Sequence, residues 1–216
     1  MGFEVLQRLQ KHTFSLIAYS TLAYFSYLML LITWQYVPID FEVAFLRVKQ
    51  EEIALVHYQF AFFIHVYTSI FVLLAGAVQL SPRLRSLYPG IHRSVGITYV
   101  LLILLFAGPS GVVMGFYANG GWTAQTSFIL LAVLWLYFTY QAYAYAKQRQ
   151  WQQHQHWMWR SYALTLSAIS LRLFKWGIVH TLALPPMDTY RIVAWAGWLV
   201  NLAVVEILIL QKIKRT

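Results

Sequence analysis

Residues 161–182 read SYALTLSAISLRLFKWGIVHTL, an apolar run of membrane-spanning length with two cations, Arg172 and Lys175, inside it. At about 1.5 Å per residue, Arg172 lies about 18 Å beyond Arg160, past the middle of a hydrocarbon layer about 30 Å thick. A cation at that depth costs at least about 2.5–3.5 kcal/mol on insertion scales, so it normally faces a partner, a ligand or a wet cavity. Lys175 follows three residues later on the same helical face. The pair marks an interior polar site. The competing reading is that both side chains snorkel to the outer headgroups, which Lys175 reaches more easily than Arg172.

The composition around this segment points the same way. Of 216 residues, 60% are hydrophobic and 11% charged, far too apolar for a soluble domain of that length. There is no cysteine, which excludes disulfides, thiolate metal sites and cysteine nucleophiles. The net charge of +9 is spread over loop ends rather than clustered, a pattern of membrane topology and not of nucleic-acid binding.

Six segments are long enough to span: about Phe14–Val37, Val56–Leu80, Gly96–Tyr117, Ala124–Ala146, Ser161–Leu182 and Arg191–Leu210. Breakers separate them: Pro38, Pro82, Pro89-Gly90, Asn119-Gly120-Gly121 and Pro185-Pro186. The chain is thus expected to be an all-α, polytopic six-helix bundle forming one integral membrane domain. Six crossings put both termini on one side, with Arg8, Lys11, Arg83, Arg85, Arg93, Lys147, Arg149, Arg160, Lys212, Lys214 and Arg215. The other side has Arg47, Lys49 and Arg191. Eleven cations against three predict cytoplasmic termini. The first segment is followed by no small-residue cleavage site and is expected to be a retained helix. In the loop from Pro38 to Leu55, Phe41, Phe45 and Leu46 alternate with charges, which predicts a short interfacial helix.

Polar residues fall into two layers. Rise per residue puts His65 about 22 Å above the inner edge, level with Arg172 and Lys175, and Asn201 near mid-depth. No carboxylate shares that level, so an anionic or electron-rich occupant is expected. The second layer is cytoplasmic: His92 and Arg93 before the third segment, and His154, His156 and Arg160 before the fifth. Such histidines ligate heme iron or another metal, shuttle protons, or simply bind headgroups as boundary residues. Glu206, about 7 Å inside the inner edge, is a natural partner for one of these cations. In the third segment Gly108, Gly111 and Gly115 share one face, which serves either close helix packing or a flat ligand. Tyr137, Tyr140 and Tyr143 read as packing residues. Phosphate loops, dinucleotide fingerprints and hydrolase motifs are absent from the sequence.

The run His154-x-x-Trp157-Met158-x-Arg160-Ser161-Tyr162-Ala163-Leu164-Thr165, followed by Leu171-Arg172-Leu173, resembles the bacterial membrane-protein family known as domain of unknown function 2306. His65, His92-Arg93-x-x-Gly96-x-x-Tyr99, Ser110-Gly111, Gly120-Gly121 and Trp198-x-x-Asn201-x-x-x-x-Glu206 extend the likeness over about residues 56–210. Two departures stand out. Ile97 follows Gly96 where relatives often carry Gly-Arg, and Gln155-His156 replace basic residues after His154. The resemblance implies a four-helix core from segments two to five, a bacterial cytoplasmic (inner) membrane, and attention to His65, His92, His154, Arg160, Arg172 and Asn201. It implies no activity.

The leading expectation is a redox protein binding heme b, or a quinone, in the helical core, with His92 and His154 or His156 as iron ligands. Basic groups suit propionates and the glycine face suits a flat ring, by analogy with membrane b-type cytochromes. His65 lacks an axial partner at its depth, because His180 lies about 7 Å further out. Two other expectations compete: an accessory subunit or assembly factor binding other membrane subunits, and a carrier of a small anionic or lipid-like molecule. No inverted repeat supports the carrier.

Overall fold

The computed structural model describes residues 2–214, with side chains from Thr13 onward except Phe14. The side chains of Arg8 and Lys11, and Arg215 altogether, lie outside what is described. Every regular element among the described residues is helical. In chain order these are α1 (Gly2–Trp34), a 3-10 turn (Ala44–Val48), α2 (Gln50–Ile53), α3 (Val56–Gln79), α4 (Pro82–Leu87) and α5 (Pro89–Leu101). A π-helical turn (Leu102–Ala107) leads into α6 (Gly108–Phe116), and then follow α7 (Trp122–Lys147), α8 (Trp151–Thr165), α9 (Ser167–Leu182) and α10 (Pro186–Ile213).

The breakers act where chemistry requires. Pro82 opens α4 behind the Ser81 hydroxyl, which accepts from the Leu84 N–H at 3.3 Å. Gly120 and Gly121 turn the chain into α7 at φ 89° and 72°, a region that penalises any Cβ. Pro186 opens α10. Pro109 brings no N–H to the helix, and the chain widens into a π turn just before it.

Among the described residues five helical runs are long and apolar enough to cross a membrane: Ser15–Trp34, Val56–Gln79, Pro89–Phe116, Trp122–Lys147 and Pro186–Ile213. The expected span Ser161–Leu182 is not one helix. It is divided between α8 and α9 at Leu166, and neither piece reaches spanning length. The Ser167 hydroxyl turns back onto the Leu164 carbonyl at 2.6 Å, and Asn201 of α10 donates Nδ2 to the Ala163 carbonyl at 3.0 Å. Side-chain groups thus serve carbonyls at the break. The predicted third span starts earlier than expected, at Pro89.

The largest buried cluster draws Val72 from α3, Tyr99 from α5, Trp135 and Phe138 from α7, Tyr162 and Leu164 from α8, and Trp198 from α10. α1 is peripheral: 6% of its spanning stretch is buried, against 28–39% in the other four. It rests on α3 and α9 through Met29, Ile70, Leu73 and Ile169. The loop before α3 folds inward. Leu46 and Ile53 bury against Tyr36, Tyr58 and Phe62, so the expected interfacial helix is a cap on the bundle end.

Candidate functional site: two basic cavities

His65, Arg172 and Lys175 line one cavity of about 620 Å³. Its walls are mostly apolar, including Phe62, Ile70, Leu73 and Leu131, and Phe45 and Lys49 of the capping loop lie over it. His65 is oriented by the π turn. Its Nδ1 lies 2.9 Å from the Ala107 carbonyl, which can only accept, so Nδ1 carries a proton and Nε2 is the nitrogen left for other contacts. The Ser110 hydroxyl donates at 2.6 Å to the Phe106 carbonyl beside it. Arg172 donates Nη1 to the Ala168 carbonyl of its own helix at 2.6 Å. No acidic side chain lines this cavity among the described residues.

Lys49 is the addition that sequence reasoning missed. It is 1% exposed, ion-pairs with Glu52 at 2.6 Å, and donates to the Tyr117 carbonyl. In the run Lys49-Gln50-Glu51-Glu52 it reads as a solvated loop charge. The buried Leu46 just before it was the available signal that the loop folds inward. Asn201 does not join this layer. It clamps the α8–α9 break, accepting from the Ser170 hydroxyl at 2.8 Å while donating to Ala163.

A second cavity, of about 760 Å³, lies at the other end of α3 and is lined by Gln79, Arg85, His92, His154, Tyr162 and Lys212 among others. His154 holds its Nδ1 2.8 Å from the Ala142 carbonyl, so it too is the Nδ1–H tautomer with Nε2 free. His92 has its Nδ1 buried without a partner, which leaves Nε2 as its accessible nitrogen. Its carbonyl accepts from Gln79 Nε2 at 2.9 Å. His156 points elsewhere. Its ring is buried beside Trp159, away from the cavity, and burial, followed by the Lys212 and Arg160 charges, holds its pKa below the ordinary value.

Arg160 is committed to a bidentate pair with Glu206, at 2.5 and 2.8 Å, with its guanidinium 4.7 Å over the Trp157 ring. Arg93 is exposed on the surface and lines neither cavity. A buried hydroxyl network links α5, α7 and α8 beside the first cavity. Tyr99 meets Ser161 and Thr165, each at 2.9 Å, Trp135 donates to Thr165 at 3.0 Å, and Thr139 meets Ser161 at 2.7 Å. Ser161 and Thr165, four residues apart on one face, were its legible trace.

A profile of the family described as "Predicted membrane protein (DUF2306)" matches residues 62–209, more than half of the chain. The chain belongs to this family. No curated protein and no solved structure matches it.

In this DUF2306 protein the glycine face is closely packed along part of its length. A Cβ on Gly108 would collide with the Leu136 side chain, one on Gly111 would sit 3.2 Å from His65, and one on Gly115 2.9 Å from Ile129. Gly108 and Gly115 thus pack closely on α7, while Gly111 and Gly115 also line the first cavity. Tyr162 fits against α3 for the same reason, since a Cβ on Gly76 would overlap its ring.

Proposed function

We propose that this chain is a membrane redox protein that holds heme b between His92 and His154, and transfers electrons through the bundle. One observation carries the reading. The two histidines line one cavity, and the Nδ1 of His154 is fixed on the Ala142 carbonyl. A backbone acceptor on the far nitrogen is the outer-shell arrangement that orients an axial imidazole. Arg85 and Lys212 line the same cavity as cations for the propionates. Bound there, heme would supply one-electron chemistry, while the chain would set axial ligation and exclude water. A quinone is the alternative redox group for this cavity, with the free Nε2 of His154 accepting from a quinol hydroxyl.

The reading includes six crossings, with residues 161–182 of α8 and α9 as the fifth, a four-helix core from α3, α5–α6, α7 and α8–α9, and both termini in the cytoplasm of a bacterium. The loop-cation bias supports that orientation. The test is an absorption spectrum of protein purified from heme-replete membranes. A Soret band and a reduced α-band are expected in wild type and in His156→Ala, and their loss in His92→Ala and His154→Ala. A colourless preparation whose extract also lacks quinone would overturn the redox reading.

A carrier is the second reading, favoured by one feature. The two cavities approach within one turn of α3, where Leu73 lines one and Gly76 the other, separated by Tyr162. Uptake of labelled anions into proteoliposomes by a heme-free preparation would favour it.

A further inference from the structure

We propose that the Arg172 cavity binds a membrane lipid with an oxyanionic head, the head against Arg172 and Lys175 and the apolar body along Phe62, Ile70 and Leu131. The inference is independent of what occupies the His92–His154 cavity. Three cations line the Arg172 cavity, but Lys49 is already paired with Glu52. Arg172 and Lys175 have no acidic partner among the described residues. Arg172 spends one N–H on its own helix, which leaves the rest of a planar fork of donors for a ligand. Both side chains are exposed, so two unpaired positive charges stand at an open mouth of an apolar-walled cavity, where an oxyanionic head suits them.

The walls decide the body of the ligand. Scattered hydroxyl and amide groups aside, they are mostly aliphatic and aromatic, which suits a hydrocarbon chain better than a hydrated ion. Access favours the same source. From the aqueous side, the capping loop is held down: Phe45 N–H donates to the Tyr36 hydroxyl at 3.3 Å and Lys49 anchors to Tyr117. From the bilayer, the wall is α1, which contributes Met29 and Ile32 to the lining and is the least embedded of the long helices. A lipid therefore enters beside α1 without moving the loop.

The experiment uses the full-length protein in detergent, titrated with dioleoyl phosphatidylglycerol, dioleoyl phosphatidylcholine or inorganic phosphate, and read by thermal unfolding and native mass spectrometry. Phosphatidylglycerol is expected to raise the Tm and to bind at one per chain, with the other two probes inert. Arg172→Gln and Lys175→Gln should each weaken binding about tenfold or more, and Arg172→Lys should weaken it despite keeping the charge. Lys214→Gln, an exposed cation outside the cavity, should bind as wild type. If Arg172→Gln fails to fold, Lys175→Gln decides alone. Equal binding of phosphatidylcholine, stabilisation by phosphate alone, or wild-type affinity in the cavity variants would each overturn the proposal.

Discussion

At the residue scale, His156 shows how a buried imidazole couples stability to pH. Its ring is 4% exposed and its Nε2 has no partner. Burial, then Lys212 and Arg160, lower its pKa from 6.5, and Glu206 opposes them. The unfolded chain takes up this proton at a higher pH than the folded chain does. Stability tied to His156 is therefore complete above its unfolded value and is lost as pH falls from there toward the folded value. The slope is at most about 1.4 kcal/mol per pH unit. Unfolding midpoints in detergent should fall more steeply between about pH 7.5 and 5.5 in wild type than in His156→Gln. Parallel curves for the two proteins would show that His156 is not the titrating group.

At the element scale, the α8–α9 break is held by a neighbour rather than by a proline. Asn201 bridges it from α10, giving Nδ2 to Ala163 and receiving the Ser170 hydroxyl. Asn201→Leu removes both bonds and leaves the Ser170 hydroxyl to find another acceptor, at an expected cost of about 1–3 kcal/mol. The cost should appear as a lower unfolding midpoint. The absorption spectrum should be unchanged, because Asn201 lines neither cavity. An unchanged midpoint in Asn201→Leu would mean that the break is stable without this clamp. The π turn is the other irregular element with a consequence, since it sets the Ala107 carbonyl against His65.

At the scale of the whole molecule, topology is the test. Six crossings with the proposed orientation would place the C-terminus in the cytoplasm, whereas counting only the five long apolar helices would place the two ends on opposite sides. A C-terminal alkaline phosphatase fusion should be inactive and a C-terminal green fluorescent protein fusion bright, with the same result for fusions to the α7–α8 loop. An active phosphatase at the C-terminus would remove α8–α9 as a crossing and reverse the orientation of α10. Arg172 would then need a new account, because its depth was measured along that crossing.

The helical membrane class and the bounds of the second and fourth segments were legible in the chain, because hydropathy adds up along a sequence and Pro and Gly break helices locally, whereas the third run begins earlier and the fifth is divided. A fixed rise per residue puts His65, Arg172 and Lys175 at similar heights, and those three line one cavity. What rise cannot supply is rotation. His154 and His156 differ in depth by about 3 Å but point about 200° apart around the helix, so only packing selects His154 for the cavity. Asn201 was expected in the layer of Arg172, yet α10 turns it toward α8 and α9 instead. The glycine face and Lys49 were ambiguous for the same reason. Whether a bare face meets a ligand or a side chain, and whether a loop cation meets water or a distant carbonyl such as that of Tyr117, depends on the element opposite, which no local pattern specifies.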